Sequence, residues 1–498
     1  MIRQSRREFL EQSMLSAAAA AAASWSTAVG RARAEEASTA GSTSPNETLG
    51  VAIIGAGGRG GDTHLPILTR LPGVEVLWIV DPDEKIGQER VKQAAKIQGR
   101  EPKFARDMRD AYADPAVDFV SIATPHHWHS LAAIWAMQAG KDVYVEKPIS
   151  HNVSEGRRCV EAAQKYKKIC QAGTQCRSMP GIRDAMNYLH QGKLGDVKLA
   201  RGLCYKERKT IGARGLYEVP ESVDYNLWLG PAPVSPLTRK RLHYDWHWQW
   251  PYGNGDLGNQ GVHQMDIARW GLGEPGISSR VLSYGGRVGY EDAGETPNTQ
   301  IVMFDYGQKA LFFEVRGLPT AAYKKTQARI GVIFEGSDGR SLVIPSYDMG
   351  IVYDKDGKEE QRFTGSGRID EDTRLHFINF VDAVRSRKAA DLTANILEGH
   401  VSSALCHLGN ISYVLGKPAT LDGIAKGLPA FAGEAGLETL ERTRVHLDEN
   451  DIDPAIKLQL GAELAFDPNR EVFVNDPLAD GLLSRERGPF VVPTADKL

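Results

Sequence analysis

The 498 residues are 42% hydrophobic, 25% charged and 8% aromatic, with a formal charge of −3; a chain of this size and make-up buries two or three cores and is neither disordered nor fibrous. No global field gathers nucleic acid or acidic lipid, so neither is an expected partner. Five scattered cysteines, Cys159, Cys170, Cys176, Cys204 and Cys406, form no CxxC pair, which argues against a disulfide framework and a thiolate zinc site.

Ser5-Arg6-Arg7-Glu8-Phe9-Leu10 precedes an alanine-rich apolar run over residues 15–23 and then Ala32-Arg33-Ala34. The order of paired arginines, apolar segment and small-x-small site resembles a twin-arginine signal peptide spanning 1–34. That resemblance implies periplasmic export of an already folded protein, its cofactor inserted beforehand. The run is too short to span a bilayer, which takes about 20 apolar residues, and no other stretch does better. Residues 35–49, rich in Ser, Thr and Gly, read as a flexible linker.

Val51-Ala52-Ile53-Ile54 then runs into Gly55-Ala56-Gly57-Gly58-Arg59-Gly60, a buried-type strand, a glycine turn and a helix start. Gly55 permits the tight turn, Gly57 and the adjoining Gly58 and Arg59 let backbone approach a pyrophosphate, and Gly60 allows close helix packing. A second apolar run over 74–80 ends in Asp81, whose carboxylate suits both adenosine ribose hydroxyls and repels a 2′-phosphate, so NAD is expected rather than NADP. Strands at 119–123, 143–146 and 169–172 alternate with helices at 84–98, 127–139 and 154–166. The expected N-terminal domain, 50–172, is therefore a doubly wound parallel sheet of the Rossmann kind, and the fold class is α/β.

Ligands of such sheets bind beyond the carboxyl ends of the strands, where Thr124-Pro125-His126-His127-Trp128-His129 and Glu146-Lys147-Pro148 fall. With Ile122-Ala123-Thr124-Pro125, His129, Ala139-Gly140 and Glu146-Lys147-Pro148, the chain resembles the Gfo/Idh/MocA oxidoreductases. The resemblance implies cofactor contacts at Thr124, Pro125, His129, Glu146, Lys147 and Pro148, and a catalytic Lys147 that donates a hydrogen bond to the substrate oxygen.

From Gly173 the texture changes to short strands broken by Gly and Pro, read as a mixed or antiparallel sheet in a domain over 173–436; the resemblance implies an α/β domain whose open sheet face makes homo-oligomer contacts. Residues 437–498 read as an extension, a helical start and then a polar, Pro-bearing tail. Gly253 to Trp270 reads as a glycine loop entering a helix, so Asn259 and His263, four apart, share a face with Asp266 nearby. The family usually carries aspartate where this chain has Asn259. His263 is the expected general base, less assisted than with a carboxylate unless Asp256 or Asp266 supplies the charge. Tyr244 to Tyr252 packs tyrosines and tryptophans around His247, and Trp246, His247, Trp248 and Asp266 are the expected sugar contacts. His126, His127 and His129 match no established metal spacing, so no metal is expected.

Together these readings predict an NAD-dependent oxidoreductase acting on a hydroxyl of a sugar, sugar acid or cyclitol. Export to a compartment without free NAD requires tight cofactor retention. Two further readings are a redox-neutral enzyme that oxidises transiently and eliminates a glycosidic group, and a non-catalytic nucleotide- or sugar-binding protein.

Overall fold

A computed structural model describes residues 48–498 apart from 325, 327 and 486; the expected signal peptide and most of the linker lie outside the described residues. Apolar runs form six parallel strands, β1 (Leu49–Ile54), β2 (Val74–Val80), β3 (Lys103–Ala105), β4 (Phe119–Ile122), β5 (Asp142–Val145) and β6 (Cys170–Ala172), in the order β3-β2-β1-β4-β5-β6. The order reverses between β1 and β4, whose registers pair Ile54 with Ile122, and the crevice beyond that pair is the ligand position of a doubly wound sheet. Asp83 caps the helix Glu84–Gln98 and Asn152 caps Val153–Lys165, each side chain accepting an otherwise unpaired N–H of the first turn.

The sheet is closed by residues far along the chain. In the helix Ile369–Ser386, Phe377 stacks on Tyr144 at 4.4 Å and Phe380 meets Phe119 edge-on at 5.3 Å. The helix Ile396–Val414 starts on the core of the sheet's other face through Ile396 and continues into the core of the second domain. A boundary at residue 172 thus divides the chain but not its packing.

The second sheet comprises β7 (Val197–Cys204), β8 (Arg280–Gly286), β9 (Thr299–Asp305), β10 (Ala310–Arg316), β11 (Ile330–Gly336), β12 (Ser341–Ile344), β13 (Met349–Tyr353), β14 (Glu359–Thr364), β15 (Lys417–Ala419) and β16 (Leu458–Leu460). Its order is β14-β13-β12-β11-β7-β10-β9-β8-β16-β15, with β7 and β10 parallel and the other pairs antiparallel. A further strand, β17 (Leu464–Asp467), also pairs with β8. Residues 458–467 are therefore part of the sheet, and 437–498 is not a separate extension.

Period-2 alternation divides the side chains of this sheet between two layers. Val302, Phe304, Leu311 and Phe313 face the helices Pro180–His190 and Val262–Leu272, whereas Leu282, Met303 and Phe312 face Leu421, Ile424, Leu440 and Leu447. Leu203, Ile333 and Val343, also on the second face, lie under Tyr205 and Tyr323. The face expected to be open is thus covered by the chain itself. Each fully buried leucine there contributes about 1.5–3 kcal/mol to holding that cover in place. Glu314 anchors the cover: fully buried, it accepts from Arg442 Nη2 at 2.6 Å and Tyr205 Oη at 2.7 Å. Burial alone would raise its carboxyl, but these partners hold it down at about 2. Among the described residues no helix is long and apolar enough to cross a membrane.

Candidate active site

Beyond the ends of β1, β2, β4 and β5 a crevice of about 570 Å³ runs from Asp81 to His263, within the size range of cofactor and small-ligand cavities. Gly55 has φ +83°, and a Cβ there would lie 2.7 Å from the Thr124 amide, so the turn at the end of β1 needs glycine. Gly57 and Gly58 face open space, with nothing within 4 Å of an added Cβ, whereas at Gly60 a Cβ would meet the Gly55 carbonyl at 1.9 Å. Gly57 and Gly58 leave a cradle of bare backbone, and Gly60 lies behind it as a packing residue outside the lining.

At one end of the crevice, Asp81 accepts the amides of Ala56 at 2.8 Å and Asp83 at 2.9 Å. Burial pushes its carboxyl up against these two bonds. Lone pairs remain on both oxygens for ribose hydroxyls. At the middle, Arg59 donates to Glu146 at 2.8 Å, and His64, held by Ser121 at 2.8 Å, reaches the same oxygen at 3.1 Å. Burial opposes the Glu146 charge, yet Arg59 and His64 hold its carboxyl well below the usual carboxylate range. Glu146 thus fixes Arg59 beside the cradle, and it is not the ion-pair partner of the Lys147 ammonium.

The far end of the cavity is lined by Lys147, Asn259 and His263 together. The Lys147 ammonium donates to the Asn259 backbone carbonyl across the crevice. Burial lowers its pKa to about 8, against the pull of Glu146. His263 is buried, lies 5.1 Å from the Tyr347 ring, and its Nδ1 has no partner. Burial, reinforced by Lys147, drops it to about 3. Of the two, Lys147 is the group whose pKa lies nearer neutral pH. Asn259 falls in the widened turn Leu257–Gly261 that precedes the helix Val262–Leu272.

Neither candidate carboxylate faces the cavity. Asp256 is taken by Arg208. Asp266 lies outside the cavity lining and accepts Arg177 at 2.8 Å and Ser402 at 2.7 Å, so here it is a buried structural anion. Trp246 and His247 line the cavity, stacked at 3.6 Å. Trp248 does not: it packs with Ile211 and Ala293 beneath the Arg208 guanidinium. Pro148 also lies off the cavity, its carbonyl holding the His129 ring at 2.5 Å while Thr124 holds the opposite nitrogen at 2.8 Å.

Four buried polar atoms around this end, Thr124 Oγ1, His126 Nδ1, Gln175 Oε1 and His263 Nδ1, have no protein partner. Buried polar groups are normally paired, so a polar ligand belongs here. Gln175, Lys206, Gln260 and Tyr347 also line the cavity. Sequence reasoning missed Gln175, Lys206 and Tyr347 because they sit in connections after β6, β7 and β12 that share no motif, and it passed over Gln260 within the segment it did read, beside Asn259.

The bare-backbone cradle, the buried ribose-facing aspartate and the lysine at the end of β5 define a nicotinamide-nucleotide-binding oxidoreductase fold. Residues 49–174 match the family model described as "Oxidoreductase family, NAD-binding Rossmann fold", and residues 202–309 match "Oxidoreductase family, C-terminal alpha/beta domain". Over these two stretches the chain is similar to the Gfo/Idh/MocA oxidoreductases. It is 28% identical over 244 residues to levoglucosan dehydrogenase of Pseudarthrobacter phenanthrenivorans, covering 48% of this chain and 54% of that protein. It is 30% identical over 165 residues to a glycosyl hydrolase family 109 protein of Saccharopolyspora erythraea, covering 32% and 35%. The chain thus spans about half or less of these curated relatives. In fold it is similar to levoglucosan dehydrogenase in complex with NADH and levoglucosan, with TM-score 0.53, 18% identity, and coverage of 73% of this chain and 97% of that one.

Proposed function

We propose that the protein is an NAD-dependent oxidoreductase acting on a hydroxyl-bearing carbon of a sugar, sugar acid or cyclitol, exported folded with its nucleotide to the periplasm. The observation that carries this is the meeting of Lys147, Asn259 and His263 at the end of a cavity whose other end is the Gly57–Gly58 cradle and Asp81. The bare backbone of Gly57 and Gly58 and the Arg59 guanidinium would hold the pyrophosphate, and Asp81 the adenosine ribose. When bound, the nucleotide supplies the hydride acceptor. Lys147, with a pKa of about 8, accepts the hydroxyl proton when neutral and returns it when cationic, because proton transfer is most effective when the pKa lies near the working pH. His263, neutral at that pH, orients the hydroxyl through its unpartnered Nδ1, and Asn259 adds an amide. Trp246 and His247 offer a flat face to the C–H side of a ring.

The likeness to a glycosyl hydrolase family 109 protein favours a second reading of the same site. Transient oxidation acidifies the neighbouring C–H, a glycosidic group leaves by elimination, and the ketone is then reduced, with no net redox change. The test is to release and identify nucleotide from purified protein, then follow reduced-nicotinamide absorbance and product with sugars and glycosides. Reduced nucleotide that persists until a carbonyl substrate clears it supports the oxidoreductase. Glycoside cleavage without lasting reduction supports the second reading, and no nucleotide and no spectral change refutes both.

A further inference from the structure

The crevice has a wall from each domain, and the C-terminal segment touches both. It runs first along the helix Val153–Lys165: Glu471 accepts His400 at 2.9 Å and Arg157 at 3.1 Å, and the Leu483 carbonyl accepts the Ser154 amide at 3.0 Å. Arg485, whose side chain is 17% exposed, then spreads its guanidinium over three partners. Nη2 donates to the His127 carbonyl at 2.9 Å, Nη1 to the Pro251 carbonyl at 2.9 Å, and Nε to Glu155 at 3.0 Å. His127 belongs to the turn bearing Thr124, His126 and His129, and Pro251 follows Trp246 and His247. Beyond it, Arg487 donates to the Gly230 carbonyl and to Asn226 Oδ1, and Phe490 packs edge-on at 5.4 Å against Trp128 of the lining.

We propose that this segment is a strap that holds the crevice closed on the nucleotide, and that Arg485 is its positioning residue. One planar, permanently charged fork spans the cofactor-side turn and the substrate-side loop, so the two walls cannot separate without breaking one of its two carbonyl bonds. Retention of nucleotide between turnovers, which the proposed export requires, is then built into the end of the chain. The inference rests on the cofactor reading above.

The test uses the full chain with NAD bound, measuring nucleotide release after dilution into nucleotide-free buffer alongside the thermal melt. Arg485→Ala is expected to release nucleotide at least tenfold faster, and to raise KM for substrate more than it lowers kcat. Glu155 keeps its bonds from Asn152 and the His151 amide, so its charge is not stranded. Arg485→Lys, whose compact ammonium cannot engage both carbonyls and Glu155 together, is expected to release at an intermediate rate, and Arg470→Ala, exposed on the same segment, at the wild-type rate. Folded Arg485→Ala that holds NAD as long as wild type overturns the strap alone. If that variant does not fold, wild-type release from Arg485→Lys overturns it. Wild-type protein that neither contains nor binds nucleotide overturns the cofactor reading, and the strap's role falls with it.

Discussion

Titration of Lys147 should set the direction of the pH dependence. With its pKa at about 8, roughly one lysine in eleven is neutral at pH 7 and ten in eleven at pH 9, since each pH unit changes the ratio tenfold. If neutral Lys147 takes the hydroxyl proton, kcat/KM for oxidation rises about tenfold from pH 7 to pH 9 with a midpoint near 8; if the cation returns it, kcat/KM for reduction falls over the same interval. His263, at about 3, adds no limb between pH 5 and 9. Lys147→Met should remove both limbs and, by loss of a positioned proton donor, cost about 10²–10⁴ in rate, while nucleotide stays bound. The assay is steady-state kinetics in both directions over pH 5–10 at constant ionic strength, with nucleotide content checked at each end. An oxidation profile governed by a group near 6–7 that disappears in His263→Gln, with no limb near 8, refutes the assignment.

Gly60→Ala forces a Cβ to within 1.9 Å of the Gly55 carbonyl and should lower the melting temperature sharply; Gly58→Ala, pointing into open space, should leave the melt unchanged while weakening NAD binding in a titration. Asn259→Asp restores a carboxylate beside His263 and Lys147, which favours both cations, so the limb near 8 should move upward and the profile at pH 7 flatten. Trp246→Ala should raise KM for substrate with little change in nucleotide affinity. Trp248→Ala, which empties a packed site, should instead cost about 3–5 kcal/mol of stability, read by denaturant unfolding.

The nucleotide half was legible because its signals are local. A buried run, a glycine turn and an acid ending the next strand lie within 33 residues of one another, and the alternation of strands and helices fixes the rest. The substrate half depends on contacts that sequence spacing does not encode. Asp266 lies only three residues beyond His263, yet Arg177 and Ser402 take up its carboxylate and turn it into a buried counter-ion. Trp248 shares an aromatic run with Trp246, but the short turn Asp245–Trp248 sends the two indoles to different surroundings. Tyr347 comes from the connection between β12 and β13 and reaches the cavity only because β11 pairs with β7. The tail gave no periodic signal because its strands are only three or four residues long and its other anchors, Arg485 and Arg487, act largely through backbone carbonyls that any residue could offer.

The asparagine at 259 and the titration of Lys147 are linked by where the contact falls. Lys147 is fastened by the backbone carbonyl of residue 259, a bond indifferent to the side chain there, so replacing the family's usual aspartate leaves the lysine's position intact and removes a charge. A carboxylate at that place would hold both the ammonium and the imidazole in their cationic forms. Without it, desolvation governs: His263 falls to about 3 and leaves proton exchange, while Lys147 falls only to about 8 because Glu146 still pulls against burial. In the proposed mechanism the titrating role therefore sits at the end of β5 and not on the helix. The proposed proton carrier is then the group pinned between the two walls that Arg485 bridges.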